Sequence, residues 1–185
     1  IITRADSDIK NLEDLRGKSF AFGDSLSTTG HVFPRKMFKE RGIDPVRDFK
    51  QVLYSGGHDA TVLAVLNGKV DAGATYANSP DSKDTAWMRY LKNPADVKKI
   101  HAIAFSEPIP ADNLVINGNL DENLAKKIEN VFIELSRDPQ GKKMLRELYQ
   151  IDGFVSATDK DYDSVRQAFV DAGIPLKEAL QKKKP

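Results

Sequence analysis

Short apolar runs alternate with amphipathic stretches along this chain, and that alternation restricts it to an α/β architecture more than any other feature does. Ser19-Phe20-Ala21-Phe22 is a compact strand that ends at Gly23. The turn Ser27-Thr28-Thr29-Gly30 leads into a helix that accepts Pro34 in its first turns and runs towards Arg41, where Gly42 closes it. Val52-Leu53-Tyr54 is the next strand. Ser55-Gly56-Gly57-His58-Asp59 then precedes a helix with Val62, Leu63, Val65 and Leu66 on its apolar side, closed by Asn67-Gly68. Val70 to Ala74 is a strand of small residues, and Asp81 to Leu91 is predicted helical. Ahead of these elements, Asn11 caps a short helix, Leu12 to Leu15, that stops at Gly17.

The second half changes character. Ile100 to Phe105 is apolar, and Glu107-Pro108-Ile109-Pro110 breaks any regular element. Asn113 to Ile116 is predicted to be a strand. Asp121 to Ser136 is a helix with Leu124, Ile128, Val131, Phe132 and Leu135 at helical spacing. A second helix follows Asp138-Pro139, Gly153 interrupts, and Tyr162 to Ala172 forms a third. Lys182-Lys183-Lys184-Pro185 reads as a solvated basic end. There is no internal repeat, and the boundary falls near Pro108 to Pro110.

Composition excludes several functions. The chain has 185 residues, enough for one or two domains with a real core. Lys plus Arg number 28 against 27 Asp plus Glu, so no basic excess marks a nucleic-acid surface. Cysteine is absent, which removes disulfides, thiolate metal sites and thiol catalysis and leaves the compartment open. No apolar run has the length of a membrane-spanning helix. The chain starts at Ile1 without Met, and reads as a processed product, an excised segment or an incompletely built chain, with sequence expected upstream.

Chemistry concentrates in two strand-to-helix turns. Such turns place free backbone N–H groups and the positive end of a helix dipole at the carboxyl edge of a sheet, where anions bind. In the first, the hydroxyls of Ser27, Thr28 and Thr29 can donate to an oxyanion, and Gly30 lets a ligand approach the backbone. Simple capping of the helix by Ser27 or Thr28 is the alternative. In the second, His58 follows two glycines at a helix start and either donates to an anion or merely packs at the helix end. Asp59 reads as a helix-start residue. His31 and His101 belong to no spaced metal motif and read as structural. A hydrolytic set of Ser27, His58 and Asp112 is the rival enzymatic reading, and no Gly-x-Ser-x-Gly elbow accompanies it. No phosphate-binding Gly-x-x-x-x-Gly-Lys loop or strand-linked Gly-x-Gly-x-x-Gly is present.

Asp14-Leu15-Arg16-Gly17-Lys18-Ser19-Phe20-Ala21-Phe22-Gly23-Asp24, with Ser27-Thr28-Thr29-Gly30 behind it, resembles the second-lobe opening of the phosphate, phosphite and phosphonate solute-binding proteins of bacterial ABC importers. Ser55-Gly56-Gly57-His58-Asp59-Ala60, Asn67-Gly68-Lys69-Val70-Asp71-Ala72-Gly73-Ala74 and Ile109-Pro110-Ala111-Asp112 carry the same resemblance, which spans essentially the whole chain. It implies a periplasmic-binding-protein-like type II fold, two α/β lobes on a hinge, with most of the first lobe upstream of Ile1. Residues 1–105 are then the hinge strand and complete second lobe, and 106–185 the return segment and C-terminal helices of an incomplete first lobe.

The resemblance further implies a non-enzymatic, periplasmic or membrane-anchored extracytoplasmic protein that captures a phosphorus oxyanion or phosphonate and delivers it to an ABC permease. It needs no cofactor or metal and binds no nucleic acid. Ser27, Thr28, Thr29 and His58 become ligand donors. Asp112 becomes an acceptor for a protonated ligand oxygen, and Tyr76 a cleft residue. A ligand-sensing module of a receptor shares the same implications. Leu124, Ile128, Phe132 and Leu135 are expected to stay exposed in a chain of this extent, and self-association with them.

Overall fold

A computed structural model describes residues 1–175; the basic end at Lys182 to Pro185 lies outside the described residues. The chain divides into two units, Ile1–Ile109 with the segment from Ser164 onward, and Pro110–Asp163.

The larger unit is built on one five-stranded sheet. Its strands are β1 (Ile2–Arg4), β2 (Ser19–Phe22), β3 (Gln51–Tyr54), β4 (Ala72–Gly73) and β5 (Ile100–Ala102), in the spatial order β3-β2-β4-β1-β5. β2 runs parallel to both β3 and β4, with Phe20 opposite Val52 on one side and Ala72 on the other. β1 pairs antiparallel with β4 and β5.

Alternation along β2 sorts its side chains between two cores. Phe20 and Phe22 point to the face that holds Ile9, Leu12, Leu15, Phe38, Ile43 and Phe49. Ala21 points to the other, with Ile2, Val62, Val65, Val70, Ala86, Leu91 and Ile100. Phe20 meets Phe38 edge to face at 5.2 Å, and Phe38 meets Phe49 the same way at 5.2 Å. Burying each such ring stabilises the fold by about 1.5–3 kcal/mol.

Helices α1 (Phe33–Glu40) and α3 (His58–Leu66) connect the parallel strands, with α2 (Pro45–Asp48) between them. Asp44 caps α2 by accepting from Val46 N, and Pro45 fills the first helical position, where no N–H is needed. The short helix expected at Leu12 to Leu15 is a 3-10 turn, Glu13–Leu15, with the Asn11 side chain accepting from Asp14 N.

Helix α4 starts later than its sequence predicts, at Ala86–Tyr90 rather than Asp81. Residues 78–85 are held in a turn: Asn78 N donates to Asp84 O, and the Asn78 amide donates to the Asp84 carboxylate. Thr85 then accepts from Met88 N and sets the start. α5 (Pro94–Val97) leads into β5. The small-residue strand expected from Val70 to Ala74 contracts to β4.

The last helix, α8 (Asp163–Asp171), returns to the larger unit, although the sequence grouped it with the second half. Ala168, Phe169 and Ala172 bury against Val32 and Phe33 at the start of α1. Lys36 reinforces the junction through ion pairs with Glu107 and Asp171.

The smaller unit holds α6 (Glu122–Leu135) and α7 (Pro139–Tyr149), capped by Asp121 and Asp138. The two meet where Gly141 abuts the Leu135 carbonyl, a place a Cβ would occupy. Ser136 donates to Phe132 O and accepts from Phe154 N, and Phe132 packs edge to face on Phe154 at 5.1 Å. α6 has no fully buried residue: Leu124 is exposed, while Ile128, Phe132 and Leu135 are half-buried. The strand expected at Asn113 to Ile116 does not form. That exposed segment joins no ladder among the described residues, and an unpaired strand leaves its backbone groups to water.

Candidate functional site

Because β2, β3 and β4 are parallel, their carboxyl ends open on one edge of the sheet, where α/β folds bind ligands. Three segments leave from that edge: Gly23 to Gly30 after β2, Ser55 to Gly57 after β3, and Thr75-Tyr76 after β4.

The first segment is the hydroxyl turn. Ser27 Oγ accepts from Gly30 N at 2.9 Å, so Ser27 caps the helical turn Thr28–Val32. His31 N and Val32 N both reach Ser27 O at 3.0 Å, which widens this turn before α1 continues it. A cap uses a lone pair, so the Ser27 hydroxyl hydrogen remains available; capping and donation to a ligand are compatible. The N–H groups of Thr28 and Thr29 open the helix and have no intrahelical acceptor.

Gly30 serves packing, not close approach of a ligand. It is buried, its carbonyl accepts from Gly23 N at 2.9 Å, and an added Cβ would lie 2.9 Å from Ser27 Oγ and 3.2 Å from Gly23 Cα.

His58 opens α3 in the second segment. The first bond from that end is Thr61 N to Gly57 O at 3.0 Å, which leaves the N–H groups of residues 58–60 at the turn. The ring is held from two sides. Thr29 Oγ1 lies 3.3 Å from Nε2, and Thr75 Oγ1 lies 3.1 Å from Nδ1. Tyr76 packs edge to face on the imidazole at 5.0 Å. Burial pushes the His58 pKa below its ordinary value, against the opposing pull of Asp59. At neutral pH the ring is therefore neutral, with one donor and one acceptor nitrogen.

The Tyr76 hydroxyl oxygen is buried and makes no hydrogen bond of ordinary geometry. Burial raises its pKa, while the Arg89 guanidinium nearby acts in the opposite direction.

The remaining candidates separate. Asp59 is exposed in the first turn of α3. His31 is buried: Nδ1–H donates to Ser25 O at 2.7 Å, so Nε2 accepts from the Tyr54 hydroxyl at 3.0 Å. Its ring packs edge to face on Phe22 and Tyr54, a structural role. His101 is exposed on β5. Asp112 is an exposed residue of the smaller unit. The ring nitrogens of His58 are held by Thr29 and Thr75 and not by Ser27, so the geometry of a nucleophile and its base is not formed between Ser27 and His58. Among the described residues, no cluster of three or more His, Asp or Glu is placed to hold a metal.

Thr75 joins this cluster through His58 and was not among the residues the sequence singled out. Thr75 had a signal, since it follows directly on a strand whose carboxyl end faces the site.

Residues 1–162 match the protein family described as ABC transporter, phosphonate, periplasmic substrate-binding protein. The chain is 31% identical over 152 residues to the phosphonates-binding periplasmic protein of Escherichia coli, covering 80% of this chain and 43% of that protein. It is 26% identical over 168 residues to a probable ABC transporter phosphite binding protein of Prochlorococcus marinus, covering 87% and 54%. Among solved structures, a binding protein component of an ABC phosphonate transporter from Pseudomonas aeruginosa superimposes with a TM-score of 0.76 at 29% identity, over 93% of this chain and 56% of that one. The chain spans about half the length of the curated relatives it matches.

Proposed function

Because the chain belongs to the phosphonate periplasmic substrate-binding family of ABC transporters, we propose that it captures a small phosphorus oxyanion, phosphonate, phosphite or phosphate, at the carboxyl edge of β2, β3 and β4. The family is one of binding proteins, not enzymes. Its fold is periplasmic-binding-protein-like.

The observation that carries this reading is the convergence of Thr29 and Thr75 on His58, beside two helix starts with free N–H groups. Hydroxyls and backbone N–H groups suit tetrahedral oxyanions: they supply several directed donors without a fixed counter-ion. Ser27, Thr28 and Thr29 donate from the first turn, and His58 acts from the second. Tyr76 lines the same edge. The captured ligand passes to an ABC permease on the extracytoplasmic side of the membrane. No helix among the described residues is long and apolar enough to cross one.

Calorimetry on the intact protein with phosphate, phosphite and methylphosphonate, with sulfate as control, tests the reading. Ser27→Ala and His58→Ala each weaken binding of the preferred ligand by about 1–3 kcal/mol, as for lost hydrogen bonds to a charged partner. Unchanged affinity in both variants removes the site.

A further inference from the structure

We propose that Thr75 is a positioning residue that sets the tautomer of His58, and through it turns the Thr29 hydroxyl towards the ligand. The inference rests on the oxyanion reading above and concerns a residue that does not itself need to touch the ligand.

The protons along Thr29–His58–Thr75 can be counted. An ionised ligand oxygen only accepts hydrogen bonds, so a Thr29 that faces one must spend its one hydroxyl hydrogen on it. Its contact with His58, Thr29 Oγ1 to Nε2 at 3.3 Å, then requires Nε2 to be the donor. A neutral imidazole that carries its proton on Nε2 presents a lone pair at Nδ1. Thr75 Oγ1, 3.1 Å from Nδ1, supplies the hydrogen for that lone pair. The anion-bound order is Thr75 O–H to Nδ1, Nε2–H to Thr29 Oγ1, and Thr29 O–H to the ligand. In the opposite tautomer Thr29 donates to the ring and turns oxygen lone pairs to the anion, which repels it.

The groups around the ring agree with this division of labour. Asp59, on the same helix, favours a charged ring, and burial opposes it more strongly. Tyr76 meets the imidazole edge to face and not through a hydrogen bond. Only the two threonine hydroxyls are hydrogen-bonded to the imidazole nitrogens among the described contacts. The choice of tautomer therefore lies between them.

Long-range nitrogen–proton NMR of labelled His58, read in the intact protein at neutral pH with and without saturating methylphosphonate, tests this. The ligand-saturated wild type shows the proton on Nε2. Thr75→Val keeps the side-chain shape, loses that tautomer preference and binds about ten-fold more weakly; Thr75→Ser restores both. A saturated wild type with the proton on Nδ1 overturns the proposal, and that reading stands even where Thr75→Val does not fold. So does a folded Thr75→Val variant that keeps both tautomer and affinity. If His58→Ala binds like wild type, the oxyanion reading of the site falls as well; if His58→Ala weakens binding while Thr75→Val changes nothing, only the role of Thr75 falls.

Discussion

Thr29 Oγ1 and His58 Nε2 lie 3.3 Å apart although 29 positions separate them, and this contact ties the turn after β2 to the first turn of α3. Neither turn is an anion site by itself beyond a few free N–H groups, because a helix dipole adds only about 0.3–1 kcal/mol where exposed. Joined, they present hydroxyl hydrogens and helix starts on the same side of the sheet.

A shared network makes the two residues energetically dependent. Thr29→Val and His58→Ala are each expected to weaken phosphonate binding by about 1–3 kcal/mol. The double variant loses less than the sum, with a coupling of about 0.5–3 kcal/mol. Calorimetric double-mutant analysis gives that coupling directly, and additive losses would separate the two residues.

Gly30→Ala is expected to destabilise the protein by about 1–3 kcal/mol, as overpacking does. The new methyl group would meet Ser27 Oγ at 2.9 Å and the Gly23 backbone at 3.2 Å, so the cap and the strand exit must shift together. Ligand affinity falls with it, since the hydroxyls ride on that turn. Urea midpoints of Gly30→Ala and of Gly118→Ala, where no atom lies within 4 Å of the added Cβ, provide the comparison.

The sheet was legible because β2 and β3 are short runs rich in apolar residues, each followed closely by Gly and then by a helix start. The hydroxyl turn and His58 were legible for the same reason: both sit where a strand stops and a helix starts. What stayed hidden depends on contacts between distant segments. Asp81 to Leu91 has helical spacing, yet the Asn78–Asp84 bonds hold its first residues in a turn. Asn113 to Ile116 has strand composition and no neighbouring strand, so composition alone misled. α8 belongs with Val32 and Phe33 through packing that no local pattern announces. Thr75 lies between these cases, with its position at a strand end readable and its bond to His58 not.

Acid should destabilise the fold through two histidines before it reaches the carboxylates. Burial holds His31 and His58 below their ordinary pKa. The unfolded chain, with His near 6.5, then takes up protons more readily than the folded one. Their contribution is fully present above about pH 6.5 and is lost as pH falls through the lower folded values. Urea midpoints measured downward from pH 7.5 should fall below that point. His31→Gln lowers stability overall, because it disturbs the bonds to Ser25 and Tyr54, and flattens the pH dependence. An unchanged slope in His31→Gln would assign the acid sensitivity elsewhere.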